Sequence, residues 1–276
     1  MFKVMESTLH KTTIEYKHSP QGTLVLDIYS RKPEAQQRRP AILYLFGGGW
    51  LSGHREQFQT QAEYFADQGM VSILVDYRVF SRHQTTPLDA LDDAQDAFDW
   101  VSHHATKLSI DPNKIIIAGG SSGGHLALCS ALNCNGRGLS TKPVALILYN
   151  PVTDLRAASP ELGFSEGELA LLANMTREEI HQFSPATQPC KKLPPTLIIY
   201  GMEDPLLAQA EQGLCAKTSE HTPAMQIMRW PGVGHGFFNK EPWLHETTKA
   251  TEQFLLKLQV LPTSTDTSTL PRSSNK

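Results

Sequence analysis

Apolar residues along the chain fall into two kinds of run. At 41–46, 71–75, 115–118, 144–149, 196–200 and 225–230 they are mostly near-continuous, which predicts strands buried on both faces. Between these runs the spacing changes. Leu88, Leu91, Ala94, Phe98, Val101 and Ala105 recur at steps of three or four, while Asp89, Asp92, Asp93, Asp96 and Asp99 leave another face charged, so this segment reads as an amphipathic surface helix. Further helices are predicted at about 57–68, 122–132, 207–218 and 242–258. Strand and helix in alternation give a parallel sheet with helices on both faces. Two earlier segments, 12–16 and 23–29, alternate instead and are joined by the turn-like Ser19, Pro20, Gln21 and Gly22, so they are expected as an antiparallel N-terminal edge. The expected class is therefore α/β, with an eight-stranded, mostly parallel sheet.

The stretch 154–193 has no strand signal, and its Leu169, Leu172, Ala173 and Ile180 suggest short helices over the top of the sheet. It reads as a small lid, about 155–193, within a single domain spanning 1–260. The last residues, 261–276, are almost all Ser, Thr, Pro and polar, and are expected to be a disordered tail.

Hydrophobic residues make up 40% and charged residues 19% of the 276, which excludes disorder for the bulk of the chain. Lys plus Arg is 25 against 28 Asp plus Glu, a net charge of −3, so no basic face for nucleic acid is expected. No apolar run approaches the roughly 18 residues of a membrane span, and 1–17 lacks the apolar stretch of a secretory signal. The expectation is a cytoplasmic protein, with an exported mature form as the alternative. Cys129, Cys134, Cys190 and Cys215 form no CxxC pair, which favours reduced packing residues over a zinc site or a disulfide framework.

The sharpest local signal is Gly119, Gly120, Ser121, Ser122, Gly123 and Gly124, directly after the predicted strand 115–118 and directly before a helical run. A strand that turns abruptly into a helix crowds the neighbours of the turning residue and forces it towards positive φ, which small residues relieve. This is the context of a nucleophilic serine on a strand-to-helix elbow. A plain alternative is a glycine-rich turn for close packing or phosphate binding. The pattern fits twice, around Ser121 and around Ser122, and does not itself choose the nucleophile.

Partners decide whether the elbow is reactive. Gly47, Gly48, Gly49 and Trp50 follow the strand 41–46, where unobstructed backbone amides could stabilise an oxyanion: Gly48 and Gly49, with the amide of the residue after the nucleophile, Ser122. Asp204 follows the strand 196–200 and His235 follows the strand 225–230, giving the order nucleophile, acid, histidine at successive strand ends. Glu203 and Asp154 are rival acids, with Asp154 second to Asp204. His125 is expected to support packing. Tyr77, Arg78, Ser81, Arg82 and His83 either brace the site or line its rim. Trp50 and Phe237, with Phe164 and Phe238, are candidates for a substrate pocket, and each is equally explained as packing.

These residues resemble the α/β-hydrolase superfamily over roughly 10–258, in the branch related to hormone-sensitive lipase, acetyl esterases and bacterial carbohydrate esterases. That branch has a GDSAGG-like elbow, which matches 121–124 and favours Ser121. Its HGGG motif is similar to Phe46, Gly47, Gly48 and Gly49, with Phe in place of the histidine, so packing of Phe46 is expected to hold the loop. Asp76, Tyr77 and Arg78, and the segment 150–154, also look like family segments. The resemblance implies an α/β-hydrolase fold and a serine carboxylesterase with Ser121, Asp204 and His235 as catalytic residues and no metal or organic cofactor. The absence of a large N-terminal cap points to short-acyl or sugar-ester substrates, closest to those of bacterial carbohydrate acyl esterases. The alternatives are a lipase or peptidase on the same fold, or a catalytically silent binding protein. On the esterase reading the expected partner is a small-molecule or oligosaccharide ester.

Overall fold

The computed structural model describes residues 9–32, 37–189, 193–215 and 225–261; the tail expected at 261–276 lies outside them from residue 262 onward. Among the described residues the strands are β1 Leu9–Ser19, β2 Gly22–Arg31, β3 Arg39–Leu45, β4 Val71–Val75, β5 Ile110–Gly120, β6 Ala145–Tyr149, β7 Thr196–Gly201 and β8 Met225–Trp230. The α-helices are α1 Gln59–Asp67, α2 Phe80–His83, α3 Pro87–His103, α4 Ser122–Leu132, α5 Glu166–Ala173, α6 Arg177–Gln182, α7 Leu206–Ala210 and α8 Trp243–Lys257. The strands form one sheet in the order β1-β2-β4-β3-β5-β6-β7-β8. β1 and β2 pair antiparallel, as does β2 with β4, and the rest are parallel. This is the mostly parallel sheet with an antiparallel edge that the apolar pattern predicts.

Both sheet faces are covered because the central strands are apolar on both. In β3, Ala41, Leu43 and Leu45 pack on one side, with Ala90, Leu91 and Phe98 of α3 and Leu126 and Leu128 of α4. Ile42 and Tyr44 pack on the other, with Ala62 and Phe65 of α1 and Phe254 and Leu255 of α8. At about 1.5–3 kcal/mol per buried large apolar side chain, these two layers supply the main driving force for folding.

Three local expectations are corrected. The helix expected at 207–218 is α-helical only to Ala210 and continues as a π turn, Glu211–Cys215, with the remainder outside the described residues. β5 starts at Ile110 rather than at 115, since Ile110 pairs with Arg39 before a register shift that accommodates Pro112. Asp93 is not on a solvated face of α3. It is fully buried and is held by Arg78 at 2.8 Å and Lys17 at 2.6 Å. Of the cysteines, Cys129 and Cys134 are free and buried, as packing residues would be.

The chain places β4 on one side of β3 and then crosses to place β5 on the other. The loops after β3 and β5 therefore meet at a reversal of strand order, where open α/β sheets form their crevices.

Candidate active site

Ser121 links β5 to α4 with φ 53° and ψ −118°, a strained conformation that lets the chain turn within one residue. The turn is tight enough that a Cβ on Gly123 would strike the carbonyl oxygens of Leu45 and Phe46. Ser121 makes no side-chain cap to α4, so the first-turn amides of that helix, at the positive end of its dipole, keep their hydrogen-bonding capacity.

The three separated side chains meet here. His235 Nε2 lies 2.9 Å from Ser121 Oγ, and His235 Nδ1 lies 2.9 Å from Asp204 Oδ2. The carboxylate of Asp204 is fully buried while the imidazole is 40% exposed, so the acid is shielded and the histidine opens to the cleft. Ser122 is also fully buried, away from the histidine. Of the two serines that fit the motif, only Ser121 faces the histidine.

Asp204 has further partners. Its Oδ1 accepts the Leu206 amide at 3.0 Å, and its Oδ2 also accepts Asn150 Nδ2 in a short hydrogen bond. Asn150, fully buried after β6 and held at φ 46°, is a site residue within the family-like segment 150–154 to which the sequence pattern gives no role. The available signal is an Asn at the end of the strand between those carrying the serine and the acid. The rival Asp154 is bound by Arg156 at 2.6 and 2.9 Å, and these bonds hold its carboxyl below the usual range despite the opposing effect of burial. Glu203 is exposed.

The glycine loop lies against the elbow: a Cβ on Gly47 would sit 2.9 Å from the Gly120 carbonyl and 3.2 Å from Ser121 Cβ. The Gly47 amide donates to Gln57 Oε1 at 2.6 Å. The amides of Gly48, Gly49 and Ser122 have no acceptor among the described residues. Phe46, at the histidine position of the family motif, stacks on Tyr77 with centroids 3.9 Å apart, and Tyr77 Oη donates to the Phe46 carbonyl at 2.5 Å. Packing holds the loop, as the Phe substitution requires; Tyr77, expected as a brace or a rim residue, adds a hydrogen bond as a brace, and Gln57, to which the sequence pattern gives no role, adds another.

Above the loop, the carboxylate of Glu168 in α5 occupies the place a Cβ on Gly49 would take. Its other oxygen caps α5 through Ser165 at 2.6 and 2.7 Å. Trp50 and Phe237, candidates for the pocket wall, are 1% and 5% exposed. Trp50 packs edge-on against His125, and Phe237 packs among Trp230, Phe238 and Trp243. Both rings are buried in packing contacts; Phe164 and Phe238 are likewise buried.

His125 is fully buried, with Nε2 2.6 Å from the Phe183 carbonyl. Burial pushes its pKa down to about 4, against the raising effect of that contact. Arg78 and Arg82 bind Asp93 and Asp76, at 2.8 and 3.1 Å, and His83 Nδ1 accepts the Val79 amide at 3.1 Å. These residues brace the segment after β4.

A sheet with this strand order, a strained serine elbow and a histidine and acid on later strand ends define an α/β hydrolase, and the chain belongs to that family: the family described as alpha/beta hydrolase fold matches residues 42–239. Among solved structures, it is similar to the esterase Est2 of Thermogutta terrifontis in its propionate-bound form, with 32% identity and a TM-score of 0.80 over 92% of this chain and 96% of that one. Among curated proteins it is 27% identical to esterase LipC of Mycobacterium tuberculosis over 83% of this chain, and 27% identical to carboxylesterase/phospholipase LipF of the same organism over 77%. The chain spans 60% of the length of each of those two relatives.

Proposed function

We propose that this protein is a serine carboxylesterase that cleaves short-chain acyl esters. The observation that carries this reading is the unbroken line from Asp204 through His235 to Ser121, with 2.9 Å at both joints. His235 takes the proton of Ser121 as Oγ attacks the ester carbonyl, and Asp204 orients the ring and stabilises the imidazolium. The negative oxygen of the tetrahedral intermediate is met by the amides of Gly48, Gly49 and Ser122, each such donor being worth about 2.7–4 kcal/mol in the transition state. Collapse expels the alcohol, which takes the proton from His235. Water then attacks the acyl-enzyme with His235 again as base, releasing the acid and restoring Ser121.

The short acyl group is supported by the covering of Gly49 by Glu168, and by a similar enzyme solved with propionate. The segment 155–193 acts in this reading as a lid on a single domain spanning 1–260. The alcohol side is taken to be a sugar, as the sequence resemblance implies.

A hydrolysis screen tests both halves. Aryl acetate, propionate and butyrate should be cleaved fastest, with a sharp fall at octanoate, and acetylated oligosaccharides should release acetate; a preference for long chains would refute the acyl assignment. Ser121→Ala should lose at least about 10⁴-fold in kcat, and Ser122→Ala should keep most activity because its amide remains. The reverse pattern would refute the assignment of the nucleophile.

A further inference from the structure

A cavity of about 460 Å³ opens where β3 and β5 begin and α8 ends, lined by Arg38, Arg39, Lys114 and Gln259 among others. β3 and β5 run parallel, so their first residues lie on one rim of the sheet and the serine elbow on the other. The length of β3 separates the two by about 20 Å at roughly 3.3 Å per residue.

Among the described residues the charge of this cavity has one sign, its lining including three cations and no carboxylate. Arg39 is only 4% exposed, yet it forms no ion pair among the described residues. Its Nη1 donates to the Arg31 carbonyl at 2.8 Å and its Nε reaches no acceptor among the described residues. Asp67, at the nearby end of α1, is taken by the Arg31 side chain at 3.2 Å. Burial lowers the guanidinium pKa. A buried cation without a counter-charge is a net cost to the fold, and here it stands at the wall of an open cavity beside two more cations.

We propose that this cavity binds a small phosphate-bearing molecule, whose oxyanion meets Arg38, Arg39 and Lys114 and neutralises a charge that the fold leaves unpaired. Guanidinium groups match phosphate oxygens in pairs and a lysine adds a mobile point charge. The volume lies within the roughly 300–1,000 Å³ of small-molecule sites and leaves room for an organic part beyond the phosphate. The site is remote from the serine and independent of the ester chemistry.

The test is calorimetric and thermal titration of the full chain with inorganic phosphate and with ribose 5-phosphate, against sodium chloride at equal ionic strength. Both phosphates should bind and raise the melting temperature beyond the chloride control. Arg38→Ala and Lys114→Ala, which leave aryl-ester hydrolysis unchanged, should each weaken binding at least about fivefold. Arg39→Met should melt higher than the wild type in phosphate-free buffer and should no longer respond to phosphate; if that variant does not fold, the other two decide the matter. A chloride response equal to that of phosphate, or unchanged affinity in both surface variants, would overturn the proposal.

Discussion

Asp204 touches His235 with one carboxylate oxygen, and the same oxygen accepts Asn150. That shared contact helps fix the carboxylate, so Asn150 is a positioning residue for the acid. Asn150→Ala is expected to lower kcat about tenfold with little change in KM, since the alcohol and acyl contacts are untouched. Asn150→Asp, of the same shape, should lose at least as much by setting a second carboxylate against Asp204. Steady-state kinetics on an aryl acetate checks both, and a change confined to KM would argue against the positioning role. Chain order admits both Asp204 and Asp154, and the geometry supports the ranking of Asp204 first because Arg156, two residues on, captures Asp154. The aromatic candidates were not separable in the same way, because an exposed and a buried ring leave the same trace in a sequence.

The glycine loop after β3 is held from two sides, by Gln57 on the Gly47 amide and by Tyr77 on the Phe46 carbonyl. Gln57→Ala frees that amide and loosens the loop, so kcat is expected to fall by about one to two orders of magnitude, as when an oxyanion donor is misplaced. An unchanged melting temperature would locate the effect in the loop. α4 carries a second testable feature. The His125 imidazole is held neutral in the fold, its pKa moved from 6.5 to about 4, so between these values the unfolded chain binds the proton more readily. Stability from this group is complete above pH 6.5 and is lost as the pH falls towards 4, amounting to about 2 kcal/mol at pH 5. Urea midpoints at pH 7 and pH 5 should show that loss in the wild type and a smaller one in His125→Asn. The positions of these elements were legible from strand-length apolar runs and the glycine pattern. Their clamps were legible only in part: Tyr77 was a candidate brace, but Gln57 lies in a separate segment and only the folded loop brings it to the Gly47 amide.

Across the whole molecule, the parallel sheet and its two apolar faces carry the site, and the alternation of runs was enough to foresee both. What that periodicity misread was Asp93, because its partners Lys17 and Arg78 come from β1 and from the segment after β4, and non-local pairing leaves no mark on a helical repeat. Their ion pair ties the antiparallel edge to α3. Asp93→Ala would leave Arg78, whose side chain is only 9% exposed, without its main counter-charge, and is expected to cost about 3–5 kcal/mol of stability in denaturant unfolding. A loss below about 1 kcal/mol would show that water replaces the carboxylate.

The account stands on a reactive Ser121 served by His235. Intact-mass and peptide analysis after treating the folded protein with a fluorophosphonate tests this most directly. The expected result is a single adduct on Ser121, absent in Ser121→Ala and strongly slowed in His235→Ala. No adduct on the folded wild type, or an adduct on Ser122, would contradict it.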